Sequence, residues 1–328
     1  MGKKMTRIGF LALMEFGRSS SDEVLPHENT LKAPKEDRLA LMREVKANLS
    51  PIFVLFDDPS GRITPFIKSY ISLNKPFINI KWDGEIHKLW RLDDRSGIKK
   101  IADNMRRAKL FIADGHHRFE TAKNFAREIA ATDLPEALKE ASRSLMVYFV
   151  ESDEKMLTVL PAHRLVKDVR GLGREEIADR LSEYFFIERS PSLKAMMKRL
   201  ASLAGKYVFG MYMGGKVYYV LRIKDPRQSD RVIKDKPLEW KRLDVSILHL
   251  FVFQHVLGVR DTDDNIEFVK DPEETASLVD KKVFPLAFFL NPTRPSQVKR
   301  IAKLGEKMPR KATYFYPKQL SGFVVNKF

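Results

Sequence analysis

Lys109–Arg127, KLFIADGHHRFETAKNFAR, is the stretch whose reading decides the fold. Leu110, Phe111, Ile112 and Ala113 form an apolar run too short for a helix and suited to a buried strand. Asp114-Gly115 breaks the run, and Phe119, Ala122, Phe125 or Ala126, and Ile129 then recur at helical spacing. A strand, a tight glycine turn and a helix make a unit whose turn aims backbone N–H groups at an anion. Into it fall Asp114, His116, His117, Arg118, Glu120 and Thr121, polar groups suited to binding or proton exchange. His116 and Glu120 stand four apart, as do His117 and Thr121, so each pair can share a helix face. A capped helix with its charges in solvent would account for one such residue. Six at a single strand-to-helix turn point to a functional site.

The chain around this unit has 328 residues, room for two or three domains. Its composition, 44% hydrophobic and 31% charged, is that of a globular protein with a real core. No stretch approaches the ~20 apolar residues of a membrane span. The start, MGKKMTRIGFLALMEF, is closed by Glu15 and Arg18 without a small-residue cleavage site, so it reads as a strand and not a signal peptide. A cytoplasmic location and no membrane partner are expected. With no cysteine, disulfides, thiolate zinc sites and cysteine nucleophiles are excluded, and any metal must sit on His, Asp or Glu.

The formal charge of +16 suits nucleic acid, phosphorylated small molecules or solubility alone. Its Lys and Arg residues are scattered, so a nucleic-acid tail is not indicated. Asn (nine) and Gln (four) are scarce beside Lys, Arg and Glu, a pattern of hyperthermophile proteins. A melting temperature above about 60 °C is the corresponding expectation.

Taken in order, residues 6–16 read as a strand, followed by the polar loop SSSDEVLPHENT and a helix over 35–48. Strand 51–56, helix 63–73 and strand 77–81 come next, and Asp83-Gly84 signals a hairpin. A helix over 95–107 leads into the central strand. Strands 144–151 and 157–159 follow, joined by a charged turn. In the second half, helices are expected near 174–184 and 193–204, and Gly214-Gly215 turns a hairpin between 207–213 and 216–223. The charged stretch 224–241 is the linker candidate, and 246–257 an apolar helix ending at Gly258. A strand at 286–290, a helix at 296–305 and closing strands at 313–316 and 322–325 complete the chain. This mixture predicts an α+β fold with a mixed sheet core, not a doubly wound parallel sheet. The expected division is a motif-bearing domain over 1–165 and a second α+β domain over 166–328.

Other constellations surround the central turn. LPHENT sets His27 beside Glu28 in a loop, and Glu28 can act as a general base if that loop folds over the turn. PAHRLV sets His163 and Arg164 after a proline, where Arg164 suits bidentate phosphate or carboxylate binding. MPRKATYFYPKQLSG mixes Arg310, Lys311 and Lys318 with Tyr314, Phe315 and Tyr316, a pattern that fits either nucleotide stacking or simple strand alternation. His87, His249 and His255 read as structural.

AKLFIADGHHRFETA, with LPHENT, LPAHRLV, FFLNPT and GEKMPRKATYFYPKQLSG, resembles the domain-of-unknown-function family 1015 from about Arg7 to the C-terminus. Family members usually carry a further N-terminal segment, so a short form, a truncated version or a late start is expected here. DGHHR is also similar to the signature of ParB-like proteins. In sulfiredoxins a similar turn carries a catalytic Cys, whose place His116 takes, so that resemblance does not imply sulfiredoxin chemistry. In ParB partition proteins the turn binds nucleotide phosphates, with Glu where His116 stands. The ParB-like free-serine kinases are nearest in pattern: Asp114, Gly115, His116 and Arg118 match their Asp-Gly-His-x-Arg. Their upstream catalytic Glu would correspond to Glu28, with Glu120 in reserve.

The leading expectation is a nucleotide-dependent phosphotransferase or nucleotide hydrolase acting on a small molecule. Arg118 and the helix N–H groups would hold phosphate, with Gly115, His117 and Thr121 beside them. His27, His163, Arg164, Lys311, Tyr314 and Lys318 are further binding candidates. Asp114 would bind Mg²⁺ or orient the substrate hydroxyl, His116 would touch the transferring group, and Glu28 or Glu120 would take the proton. The expected cofactors are Mg²⁺ and ATP, ADP or CTP. One alternative is a Zn²⁺, Mn²⁺ or Fe²⁺ hydrolase built on His116, His117 and His163 with Asp114 or Glu120. Another is a non-catalytic binder of nucleotide or nucleic acid, disfavoured by the lack of a helix-turn-helix.

Overall fold

The computed structural model describes residues 5–17, 24–28, 30, 32–106, 108–153 and 157–328. The serine-rich part of the first polar loop, Asn29 of LPHENT and residues 154–156 of the charged turn lie outside the described residues. The chain divides into two compact units: unit 1 is Met1–Thr158 with Phe315–Phe328, and unit 2 is Val159–Tyr314. The division expected at 165/166 lies close to the first boundary, but the last residues of the chain return to unit 1. Both units mix helices and strands, so the fold is α+β, as the alternation of patterns predicts.

Unit 1 runs β1 (Phe10–Glu15), β2 (Val24–Leu25), α1 (Lys32–Val45), β3 (Ala47–Asn48), β4 (Ile52–Phe56), α2 (Ile63–Leu73), β5 (Ile78–Trp82), β6 (Glu85–Leu89), α3 (Arg95–Met105), β7 (Leu110–Asp114), α4 (His116–Ala130), α5 (Glu136–Ser142) and β8 (Ser144–Glu151). Its five-stranded sheet has the order β1-β8-β4-β7-β2, antiparallel at β1–β8 and β4–β7, parallel at β8–β4 and β7–β2. All five residues of β4 are buried, as are the first four of β7, which is why both read as unbroken apolar runs. Ile52, Val54 and Phe56 of β4, Leu110 and Ile112 of β7, and Ala122 of α4 share one core. Each large aliphatic or aromatic side chain buried there contributes about 1.5–3 kcal/mol.

The β4–β7 ladder is not regular. Phe53 pairs with Asp114 but Val54 pairs with Ile112, so the register shifts and Ala113 has no partner across the ladder. A bulge of this kind re-aims the neighbouring side chain. Here that side chain is Asp114.

The closing segment is tied to unit 1 by named bonds. Arg7 donates to the carbonyls of Tyr316 (3.3 Å) and Pro317 (2.7 Å), Gly322 N–H to Leu49 O (2.8 Å), and Phe328 N–H to Lys46 O (2.9 Å). The strand expected at 322–325 lies instead at Asn326–Lys327, paired with β3, because Gly322 is a bend at φ +74°.

Unit 2 follows a short strand β9 (Thr158–Val159) at the boundary, and contains β10 (His163–Val166), α6 (Arg174–Tyr184), β11 (Phe185–Ser190), α7 (Leu193–Ser202), β12 (Val208–Tyr212), β13 (Tyr218–Ile223), α8 (Arg227–Val232), α9 (Leu238–Lys241), α10 (Asp244–Ser246), a π-helix (Ile247–Leu257), β14 (Ile266–Val269), α11 (Pro272–Asp280), β15 (Leu286–Phe289) and α12 (Pro295–Lys303). Its six-stranded sheet, β11-β13-β12-β15-β10-β14, is antiparallel at every pairing. The linker expected over 224–241 is corrected: it folds into α8 and α9 within unit 2, where Trp240 is buried and donates to Lys307 O at 2.6 Å. An apolar anchor outweighs the charged composition that suggested a linker. Among the described residues no helix is long and apolar enough to cross a membrane.

Candidate active site at the DGHHR turn

The turn from β7 to α4 depends on glycine. Gly115 sits at φ +97°, ψ 29°, and a Cβ there would lie 2.9 Å from Ile52 Cγ2. Gly115 offers no side-chain cap to α4, and Phe119 N–H is the first to bond back, to Gly115 O at 2.9 Å. The amides of His116, His117 and Arg118 therefore open the helix without an intrahelical acceptor.

Asp114 stands just before this helix end. Its Oδ2 accepts from Arg118 Nη2 at 2.7 Å, and its Oδ1 accepts from Lys318 Nζ. Arg118 also donates through Nη1 to Ser50 Oγ (2.8 Å) and to Pro51 O. Burial pushes the Arg118 guanidinium below its ordinary value, with Asp114 opposing. Two expectations are corrected here. Arg118 spends both terminal nitrogens on protein groups, so it braces Asp114 instead of lying open for phosphate. Asp114, expected as a Mg²⁺ ligand, has a cation on each oxygen, and a divalent ion beside Arg118 and Lys318 would meet two like charges. The residues present do not fit Mg²⁺ at this position.

The loop carrying LPHENT lies over the turn. His27 N–H donates to His116 Nε2 at 3.2 Å, which assigns the proton of the neutral ring to Nδ1. Nδ1 lies 3.3 Å from Glu28 Oε2, a close contact without the alignment of a hydrogen bond. The His27 ring meets the His116 ring edge-on, centroids 4.6 Å apart. His116 is buried whereas Glu28 is partly exposed, so the carboxylate is the member of the pair that a solute can reach. Burial pushes His117 below its ordinary value, and Glu28 is the largest influence opposing that shift.

The remaining candidates are distributed unequally. Glu120 accepts from Thr30 Oγ1 (2.7 Å) and Lys35 Nζ (2.9 Å). Thr121 is buried, its hydroxyl without a hydrogen-bond partner among the described residues, and lines a cavity of about 80 Å³ with Asn48, Ser50, Arg38 and Arg118. Neither Lys35 nor Ser50 is flagged by any motif, since a lysine in an exposed helix and a serine before a proline are too common to stand out.

His163, Arg164, Lys311 and Tyr314 belong to unit 2. His163 Nδ1 accepts from Leu290 N–H at 3.4 Å, and burial, aided by Arg164, pushes its pKa down to about 4. Arg164 is fully buried and donates through Nε to His249 Nε2 (3.1 Å), through Nη1 to Ala162 O and through Nη2 to Lys311 O (3.3 Å). His249 Nδ1 in turn lies 2.9 Å from Asp261 Oδ2, whose other oxygen accepts from Arg310 at 2.9 Å. This network satisfies Arg164 internally, correcting its assignment to phosphate. Lys311 contributes a carbonyl at φ +50°, and Tyr314 lies under Lys270, 3.8 Å from ring centroid to Nζ. Among the described residues no group of three His, Asp or Glu side chains converges on a metal-sized point.

The family described as "Protein of unknown function (DUF1015)" matches residues 1–246. The chain belongs to this family. The match ends before FFLNPT and the C-terminal motif, so the resemblance carried by those two lies outside it. Comparison with curated proteins finds no match. Solved structures similar to the chain include a mutant free serine kinase in complex with AMP (14% identity, 97% of this chain and 92% of that one, TM-score 0.44). Another is a mutant free serine kinase in complex with ADP (14%, 97% and 95%, TM-score 0.42). A third is a conserved hypothetical protein from Pyrococcus furiosus (14%, 97% and 97%, TM-score 0.42).

Proposed function

We propose that the chain is a nucleotide-dependent phosphotransferase or nucleotide hydrolase acting on a small molecule, with phosphate held at the DGHHR turn. The observation that carries this reading is Glu28 against His116, beside the uncapped start of α4. Phosphoryl transfer asks for positioning and charge neutralisation more than for covalent chemistry. The first-turn amides of α4 and the Lys318 ammonium supply positive potential for phosphate oxygens. Asp114, braced by Arg118, holds Lys318 in place.

Glu28 is the general base. The acceptor's hydroxyl (or a water) attacks phosphorus, the bond to the nucleotide's leaving oxygen breaks, and the hydroxyl proton passes to the Glu28 carboxylate. His116 orients that carboxylate through Nδ1. This arrangement extends the likeness of Asp114, Gly115, His116 and Arg118 to the Asp-Gly-His-x-Arg turn of ParB-like free-serine kinases. Calorimetric titration with ATP, ADP and CTP, each with and without Mg²⁺, tests it. Binding of at least one nucleotide, weakened by Lys318→Met, supports the assignment. No heat from any of them in the intact chain removes it.

A further inference from the structure

Unit 2 holds a polar cavity of about 230 Å³ that the proposed reaction does not use. Its wall is made by the chain after α7, by α9 and α10, and by α12 with the preceding Asn291-Pro292 of FFLNPT. The volume lies below the ~300–1,000 Å³ of pockets for drug-sized ligands, so the space suits a molecule of amino-acid size.

The charges around it are unequally spent. Arg242 is committed to Asp230 through two bonds of 2.8 and 2.6 Å. Arg294 and Arg300, at the two ends of α12, make no ion pair within 4 Å among the described residues. Gly205, at φ +85°, leaves room where a Cβ would come within 3.2 Å of Arg294 Nη2. Asp244 also lines the cavity, and no hydrogen bond reaches its carboxylate among the described residues. Burial pushes that carboxyl up to about 7, and Arg294 only partly opposes the shift. An ammonium group arriving beside Asp244 would restore its charge, while the two guanidinium groups await an oxyanion. A simple anion would face Asp244, and a simple cation would face Arg294 and Arg300.

We propose that this cavity binds a small zwitterion, its ammonium group against Asp244 and its carboxylate or phosphate at Arg294 and Arg300. The site lies wholly within unit 2 and stands whether or not unit 1 binds a nucleotide. The test is calorimetry on the full chain with the free amino acids and phosphoethanolamine, against propionate, inorganic phosphate and propylamine as single-charge controls. At least one zwitterion should bind tenfold or more tightly than any control, and the better of the two classes identifies the oxyanion. Asp244→Asn and Arg300→Gln should each weaken it by tenfold or more. Arg300 is exposed, so its variant carries the test if Asp244→Asn fails to fold. A control binding as tightly as every zwitterion, binding indifferent to Arg300→Gln, or no heat from the whole panel would overturn the proposal.

Discussion

Glu28 Oε2 lies 3.3 Å from His116 Nδ1, joining a loop near the start of the chain to the first residue of α4. The opposite ring nitrogen is held by His27 N–H, so the ring cannot turn without losing a buried hydrogen bond. If Glu28 accepts the proton in phosphoryl transfer, Glu28→Gln should lower kcat by about 10²–10⁴-fold. Nucleotide Kd should move little, because Gln keeps the volume. Steady-state turnover and calorimetry on the same preparation check this, and unchanged turnover would reassign the base.

His116→Ala removes the acceptor for His27 N–H and the group that directs Glu28. A buried donor left unsatisfied costs about 1–3 kcal/mol, and that loss should appear in urea unfolding. Turnover should fall as well, which separates His116 from a purely structural histidine.

Asp114→Asn tests the clamp. It leaves Arg118 and Lys318 facing an amide, and losing charge-assisted hydrogen bonds of this kind costs about 1.5–3 kcal/mol, reduced by partial exposure. Lys318→Met removes one cation and leaves Arg118–Asp114 intact, so its effect on stability should be smaller and its effect on nucleotide affinity larger. A thermal melt beside a titration compares the two.

Gly115→Ala forces a Cβ to within 2.9 Å of Ile52 Cγ2 in a left-handed backbone. About 1–3 kcal/mol of destabilisation is expected from the conformation alone. A variant as stable as the original would mean that the turn can relax.

His163 sets a pH dependence in unit 2. Its folded pKa of about 4 lies below its ordinary 6.5, so between these values the unfolded chain binds a proton that the folded chain does not. Stability from this group is complete above pH 6.5 and is lost as pH falls toward 4, by about 3 kcal/mol. His163→Asn, whose side-chain oxygen can still accept from Leu290 N–H, should flatten the slope in that window. Denaturant midpoints at pH 7 and pH 4.5 measure it.

Much of this was legible in residue order because local physics decides it. The run at 110–113, the break at Asp114-Gly115 and the apolar spacing of 119–129 specify strand, turn and helix from periodicity and glycine's freedom alone. The pairing of Glu28 with the turn was legible only as a condition, that the loop fold back. What residue order could not decide is which charge meets which. Arg118 looks like a phosphate ligand until Ser50 and Pro51 are beside it, and Asp114 looks like a metal ligand until Lys318 arrives. Arg164 looks like a phosphate or carboxylate ligand until His249 and Lys311 are beside it. The periodicities are properties of neighbouring residues, whereas a charge is assigned its role by whichever partners the fold brings near, and those lie scores of positions away along the chain.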